Sequence, residues 1–368
     1  MIYVMRDSQL DGEAASIETI GLLESYKSVL WAVQYYGQGE FELITSATLN
    51  NIELLKAGNY LIREEDYKNS IYNNVMAIQD IEIIYDNEDG SLLKVKGKSL
   101  KNEILKKRVI SWRSFLVGTA ETKVREILSL SFCTSTGAYA DKKITNFVLD
   151  EAKGYTNTIN IQVLGENLAE WLEEICKTYG WGWDVYIKDG EYHFTLYKGE
   201  DRTLDQSENI PIIFSKDYDN LYNSSYKMYN SKYQNMAYIF GEDNAAGTSR
   251  KNTSYNPLDV KGFNRMERFI DSSMSSKEGE TTLTDAQYYA VLKDLAKQEL
   301  SQIKLYEFDS NVGTEGIYKI NKDFFLGDIV EVRTEYGIEA SSRIIEVIYA
   351  EDENGTSIVP TFSEWEVE

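Results

Sequence analysis

The chain has 368 residues, 42% hydrophobic and 12% aromatic, enough for two or three domains with their own cores and too apolar for a disordered polymer. Sixty acidic residues against 38 basic ones give a formal charge of −22 with no basic stripe, which argues against nucleic acid or anionic lipid as bound partners while leaving DNA free to slide past. One histidine and two distant cysteines argue against serine or cysteine triads and zinc clusters, and neither a secretion leader nor an apolar membrane span is expected.

Tyrosine dominates the aromatics with 27 copies, a sign of strand-rich structure with rings on half-buried faces. In SVLWAVQYYGQGEFELIT, residues 28 to 45, two apolar runs flank Gly37 and Gly39 and predict a hairpin. Phe41 and Leu43 share one face; Glu40, Glu42 and Ile44 share the other. In NVMAIQDIEIIYDNEDGSLLKVKG, Ile81, Ile83 and Tyr85 lead to the turn Asn87-Glu88-Asp89-Gly90, and Leu93 and Val95 resume the alternation. Ser99 is placed to cap a short helix carrying Leu100, Ile104 and Leu105 on one side and ending at Arg108. Short antiparallel strands of this kind point to a barrel or sandwich.

From about residue 113 the period changes. ETKVREILSLSF spaces Val124, Ile127 and Leu128 helically. ENLAEWLEEICKTYG sets Leu168, Trp171, Leu172, Ile175 and Tyr179 on one stripe that stops at Gly180. WGWDVYIKDGEYHFTLYKG follows as a hairpin turning at Asp189-Gly190, so residues 113–200 are expected to form a small α+β domain. Strand signals return in IPIIFS and YNSSYKMYNSKYQNMAYIFG. Residues 243–262 are polar, 272–284 resemble an exposed loop, and RMERFID between them is a short strand. TDAQYYAVLKDLAKQELSQIK predicts a helix starting at Thr284 or Asp285, with Tyr288, Val291, Leu292 and Leu295 on one face. The last strands are LGDIVEVRTEYG and SRIIEVIYAEDENGTSIVPTFSEWEV, with Pro360, one of three prolines, expected on an edge.

Candidate chemistry is scarce. His193 shares its hairpin face with Thr195 and Tyr197 and is expected at the surface. Cys133 and Cys176 are expected as reduced core residues. DNEDG (86 to 90) and DENG (352 to 355) begin like calcium loops but lack the following acids and the closing glutamate, so both are turns. In FFLGDIVEV, Gly327 permits positive φ and Asp328 is placed to accept free backbone amides at a strand start, a corner of the fold and not a catalytic carboxylate. The many carboxylates leave a glycoside hydrolase open. No catalytic, cofactor-binding or metal-site residue is assigned, and no cofactor is expected.

Taken in order, SVLWAVQYYGQGEFEL, LKAGNYLIREED, GSLLKVKGKSLKNEILKKRVI, IQVLGENLAEWLEEI, TLYKGEDRTLDQ with IIFSKDYDNL, RMERFID, FFLGDIVEV and SRIIEVIYAEDENGTSIVPTF resemble a known family. It is that of the tail-tip or baseplate hub proteins of tailed phages, especially siphophages. These are similar to the contractile-phage baseplate hub and to the N-terminal region of tail-associated endopeptidase and fibre proteins. The resemblance implies a non-enzymatic virion protein of α+β class, mainly β. It implies two antiparallel β-barrel hub domains, at 1–112 and at 201–240 with 305–368. A middle α+β domain at 113–200 and a loop-and-helix insertion at 241–304 would decorate them.

The resemblance further implies a homotrimeric ring adapting the sixfold tail tube and distal tail protein to a threefold tip. Tape-measure protein and tip fibre or receptor-binding subunits are the other implied partners; DNA passes through without specific binding, and no membrane span is expected. Some relatives extend into a peptidase or fibre, and a chain ending at Glu368 is expected to lack a cell-wall enzyme of its own. The implied location is the virion tail tip, assembled in the bacterial cytoplasm. A contractile phage, prophage particle or tail-like bacteriocin fits the same pattern. The abundant aromatics keep a carbohydrate-binding adhesin of the tail tip as the alternative.

Overall fold

Alternating apolar residues build the first strands: Ile2–Asp7 (β1), Ile17–Leu23 (β2), Ser28–Gln34 (β3), Glu40–Ser46 (β4), Tyr60–Arg63 (β5), Met76–Asp86 (β6) and Gly90–Ser99 (β7). Helices Leu49–Leu54 (α1) and Leu100–Leu105 (α2) accompany them. The computed structural model describes residues 1–11, 14–68, 71–86, 90–112, 114–244, 246–278, 281–303, 306–311, 317–333 and 339–365. In β4, Phe41, Leu43 and Thr45 are buried and Glu40 is exposed, as the period of two predicts. β6 and β7 pair from Met76↔Ser99 to Asp86↔Gly90; the predicted turn residues 87 to 89 lie outside the described residues. Ser99 stands at the start of α2, but its hydroxyl does not cap the helix. It donates instead to the Gln38 carbonyl, which the loop between β3 and β4 brings within reach.

The middle of the chain contributes Ser114–Thr119 (β8), Ala120–Leu128 (α3), Phe147–Leu149 (β9), Thr158–Val163 (β10), Leu168–Tyr179 (α4), Gly182–Lys188 (β11) and Glu191–Tyr197 (β12). α4 buries Leu168, Trp171, Leu172, Ile175 and Cys176 and ends on Gly180 in the left-handed conformation. β11 and β12 turn on Asp189 and Gly190, with φ of 50° and 80°, the positive values a two-residue hairpin needs.

The remaining elements are Tyr222–Met228 (β13), Met236–Asp243 (β14), Arg250–Tyr255 (β15), Glu267–Asp271 (β16), Asp285–Ser301 (α5), Tyr306–Asn311 (β17), Ile329–Arg333 (β18), Glu339–Asp352 (β19) and Gly355–Trp365 (β20). A reciprocal capping box of Thr284 and Gln287 starts α5. Its Tyr288, Val291 and Leu292 pack on Ala237, Ile239 and Ile270. The segment 272–284 is the exposed loop expected only in part, with Ser273, Lys277, Thr282 and Thr284 exposed. Ser272, Ser276 and Leu283 are buried, and Lys277–Glu278 pairs with Thr281–Thr282. The Glu242 carboxylate draws the segment inward by accepting from the Ser276 amide at 2.8 Å.

The fold is mainly β, with several sheets. Among the described residues the largest has 14 strands, ordered β13-β17-β20-β19-β3-β4-β7-β6-β5-β1-β2; β18 branches from β19 and pairs in turn with the short strands Asp201–Arg202 and Ile213–Ser215. Two separate closed barrels are not what forms: among the described residues no sheet closes on itself. The reason is visible at β3. Its outer edge pairs with β19, from Gln34↔Glu346 to Val29↔Glu351, so the two ends of the chain extend one sheet. β20 is accordingly flanked by β19 and β17, not an edge. Its proline is tolerated because Pro360 sits one residue before the β17 pairing reaches Thr361.

Apolar clusters back this sheet. Val4, Trp31, Phe41, Leu43, Leu93 and Val95 belong to one, and Phe214, Val330, Val332, Ile344 and Phe362 to another. A larger cluster joins α2, α3, α4 and the β11–β12 hairpin.

Candidate functional site

Three stretches distant in sequence converge on Tyr35, just after β3. Its amide donates to the Ile345 carbonyl at 2.8 Å. Its hydroxyl donates to the Gly180 carbonyl at 3.2 Å and accepts from the Gly199 amide at 3.3 Å. The fully buried ring meets Tyr197 edge-on at 5.2 Å and lies under the Arg343 guanidinium at 5.5 Å. Burial pushes the phenol's pKa well up, opposed by Arg343, so it stays a neutral donor.

The backbones around Tyr35 touch. A Cβ on Gly199 would stand 1.9 Å from the Gly327 carbonyl carbon and oxygen, and one on Gly327 would stand 2.3 Å from the Tyr35 ring. Gly327 also holds φ at +98°, a left-handed value that only glycine adopts without strain.

Asp328 completes the corner and is 1% exposed. One carboxylate oxygen accepts from the Glu200 amide at 2.8 Å. The other accepts from the Phe325 amide at 2.9 Å and from Arg202 Nε at 2.7 Å. The Ile329 amide donates to the Glu200 carbonyl at 2.9 Å, and Arg343 Nη1 to the Gly327 carbonyl at 2.6 Å. Asp328 is thus the corner its sequence context indicates, and it also stitches residues 200–202 to the start of β18. Its two oxygens together accept three hydrogen bonds from buried donors.

Beside the junction opens a cleft of about 670 Å³, lined among others by Lys101, Asp184, Tyr197, Gly199, Phe325 and Asp328. Lys101 projects from α2 and is buried; its ammonium donates to the carbonyls of Gln34 at 2.6 Å and Trp183 at 3.1 Å and faces the Trp183 ring at 4.8 Å. Burial lowers its pKa from 10.5 to about 8, with the Asp184 carboxylate opposing. Burial in turn raises Asp184. This lysine ties α2 to the end of β3 and to β11. Arg63 makes a comparable link, bonding Asp66 at 2.9 Å through Nε and stacking 3.7 Å from the Tyr349 ring of β19.

His193 is not at the surface: its side chain is 12% exposed. β9 pairs in parallel with β12 and delivers the following Asp150, whose carboxylate lies 2.8 Å from His193 Nδ1. The Tyr186 hydroxyl donates to the other Asp150 oxygen at 2.9 Å, and its ring stacks on the imidazole. Cys133 and Cys176 are free thiols, and burial raises the pKa of both. DENG at 352 to 355 forms the β19–β20 turn. Among the described residues, no three His, Cys, Asp or Glu side chains are arranged to hold a metal ion, and no helix is long and apolar enough to cross a membrane.

Sequence reasoning found Asp328 but not Tyr35, Gly199, Arg202 or Lys101. For Lys101 the sequence LKNEIL holds no local signal, because the burial of its neighbours in α2 appears only in the folded chain. The junction's capability is mechanical. It holds the N-terminal, middle and C-terminal stretches at fixed spacing.

A family model described as Siphovirus ReqiPepy6 Gp37-like protein matches residues 10–362. No curated protein matches the sequence. Among solved structures, the chain is similar to a 43 kDa tail protein of prophage MuSo2 from Shewanella oneidensis. The TM-score is 0.59 at 14% identity, covering 99% of this chain and 98% of that one. It is similar to prophage tail protein gp18 from Listeria monocytogenes, with TM-score 0.54 at 12% identity, covering 100% and 96%. A tail protein from Neisseria meningitidis gives TM-score 0.53 at 12% identity, covering 99% and 96%. At such identities the likeness is one of fold.

Proposed function

The chain belongs to the Siphovirus ReqiPepy6 Gp37-like protein family, a tail protein family, and from that premise we propose that it is a non-enzymatic hub of the tail tip, three copies closing into a ring. The observation that carries the reading is the open sheet. β5 pairs β6 only through Met76 and Ala77, so beyond Ile78 one edge of β6 has no strand beside it among the described residues. Ile83 and Tyr85 on that overhang are 56% and 75% exposed. At the far end of the same sheet, the one strand paired with β13 among the described residues is β17.

Unpaired strand edges recruit further strands. In the proposed ring the β6 edge of one copy meets the β13 edge of the next, a head-to-tail contact that closes around a threefold axis. Each copy then contributes two similar arcs, from 1–112 and from 201–240 with 305–368. Such a ring matches a sixfold tube and distal tail protein on one side and a threefold tip on the other. The middle domain (113–200) and the insertion (241–304) decorate it. Tape-measure protein and tip fibre or receptor-binding subunits are its other neighbours, and the charge of −22 lets DNA pass without adhering.

Light scattering across a concentration range, on the wild type and on Ile83→Glu, tests the proposal. A threefold mass for the wild type and a single-chain mass for the variant are expected. A wild type that stays monomeric even with its distal tail protein present refutes the ring.

A further inference from the structure

The insertion folds around a core of its own. Tyr288, Val291, Leu292 and Ala296 of α5 are fully buried with Ala237 and Ile239 of β14 and Ile270 of β16. The chain enters this unit between β13 and β14, through residues 229–235, and leaves it at Gln302 and Ile303 after α5. Both crossings border one cleft of about 600 Å³, which Tyr229, Ser231, Lys232 and Gln234 line from one side of the connection and Gln302 and Ile303 from the other. Two neighbouring crossings with space beside them can serve as a hinge.

α5 meets β10 and α4 across a seam of hydrogen bonds. The Asp294 carboxylate accepts from the Asn160 amide at 2.6 Å and from Asn160 Nδ2 at 3.0 Å. The Glu174 carboxylate accepts from Gln298 Nε2 at 2.8 Å, and the hydroxyls of Thr178 and Ser301 lie 3.0 Å apart. Lys297 stands 4.5 Å from the Tyr179 ring. Phe115 and Leu295, apolar residues beside these bonds, stay only partly buried. The seam also leaves a space of about 160 Å³ bordered by Gln162, Trp171, Glu174 and Leu295. Among the described residues Gln162 Nε2 and Trp171 Nε1 are buried there with no acceptor. A buried donor without a partner penalises the closed seam, and opening gives it water.

The two carboxylates add a second penalty that depends on pH. Burial raises the pKa of Glu174, with Gln298 and Lys177 opposing and Glu299 and Glu166 adding to the rise. Burial likewise raises Asp294, with Asn160 and Lys297 opposing; Tyr179 of α4 and Tyr255 of β15 are the other titratable groups its charge reaches. The closed seam therefore holds protons on these carboxyls more readily than the open one. The penalty is full above the raised values and fades as pH falls toward the ordinary 4.5 and 3.8.

We infer that the seam between α5 and the β10–α4 face is a reversible latch, from which the insertion swings away as one unit and which acid holds closed. The latch is independent of the β6 edge on which ring closure depends.

The Asn160 amide reports the latch directly, because its acceptor lies on α5. Hydrogen exchange of the full chain, read at single amides by mass spectrometry with electron-transfer fragmentation, tests the inference at pH 5 and pH 8 after correction for intrinsic exchange. Asn160 is expected to open at least about tenfold more often at pH 8, the change that ~1.4 kcal/mol produces, while the β14 amides stay protected at both. The double variant Glu174→Gln/Asp294→Asn keeps the acceptors without the charges. It should hold Asn160 at the pH 5 level throughout, with β14 protection showing that it is folded. Asn160 exchanging only as slowly as β14, opening that does not change with pH, or a pH difference that survives in the double variant overturns the latch. So does loss of β14 protection together with Asn160 in the wild type, which means that the insertion unfolds and does not swing.

Discussion

Replacing Asp328 with alanine removes one acceptor from three buried donors at once: the amides of Glu200 and Phe325 and the Nε of Arg202. Breaking a buried ion pair by deleting one partner costs about 3–5 kcal/mol, and an orphaned buried amide about 1–3 kcal/mol. Because the three donors share one carboxylate, their losses overlap, and the destabilisation expected is about 4 kcal/mol. Asp328→Asn keeps the shape and one acceptor oxygen, and is expected to lose roughly half as much. Hydrogen exchange followed by mass spectrometry reads the effect locally. Peptides covering 199–202 and 325–329 should exchange at least about a hundredfold faster in the alanine variant, the rate change that ~3 kcal/mol produces. The β14–β16 sheet should be unchanged. A shift below about 1 kcal/mol confined to no region would mean that Asp328 is an ordinary turn residue, and the junction argument would fail with it.

Three further outcomes follow from the geometry. Gly199→Ala forces a methyl to 1.9 Å from the Gly327 backbone, so the midpoint of urea unfolding should fall by the equivalent of about 1–3 kcal/mol or more; an unaltered midpoint contradicts the close approach. Lys101 has its pKa lowered by burial from 10.5 to about 8, so its folded state binds a proton less readily than the unfolded chain. Below pH 8 this opposes folding by ~3 kcal/mol, and the penalty fades as pH rises from about 8 to about 10.5. Lys101→Met should therefore flatten the rise of Tm between pH 8 and 10, and identical pH profiles would dismiss the burial. Ile83→Glu should leave the unfolding free energy of the unassociated chain within about 0.5 kcal/mol of wild type because the residue is more than half exposed, while abolishing association.

The parts of the fold legible in the sequence are those fixed by short-range pattern. The buried face of β4, the α4 stripe ending at Gly180, the turn at Asp189-Gly190 and the start of α5 each follow from periodicity or from a residue's backbone preference. What was not legible depends on which distant segment arrives. Nothing in SVLWAVQ announces that β3 pairs with a strand more than three hundred residues later, yet that pairing turns two expected barrels into one open sheet. His193 is half-buried because β9 brings Asp150 beside it, and Ser99 leaves its helix because Gln38 is closer. Segment 272–284 has the composition of a loop and is nonetheless packed in part, since Glu242 supplies the acceptor its backbone needs. At the junction, the glycine before Asp328 and the alternation after it marked a corner. Tyr35 and Arg202, which give the corner its partners, carry no local signal of that role.

A cryo-electron microscopy map of the tail end of assembled particles tests the central claim most directly. Three copies should surround the channel, with the β6 overhang of each continuing into the β13 edge of the next and Ile83 buried in the contact. A map placing the chain outside the channel wall, or around it in another number with the β6 edge still exposed to solvent, contradicts the account.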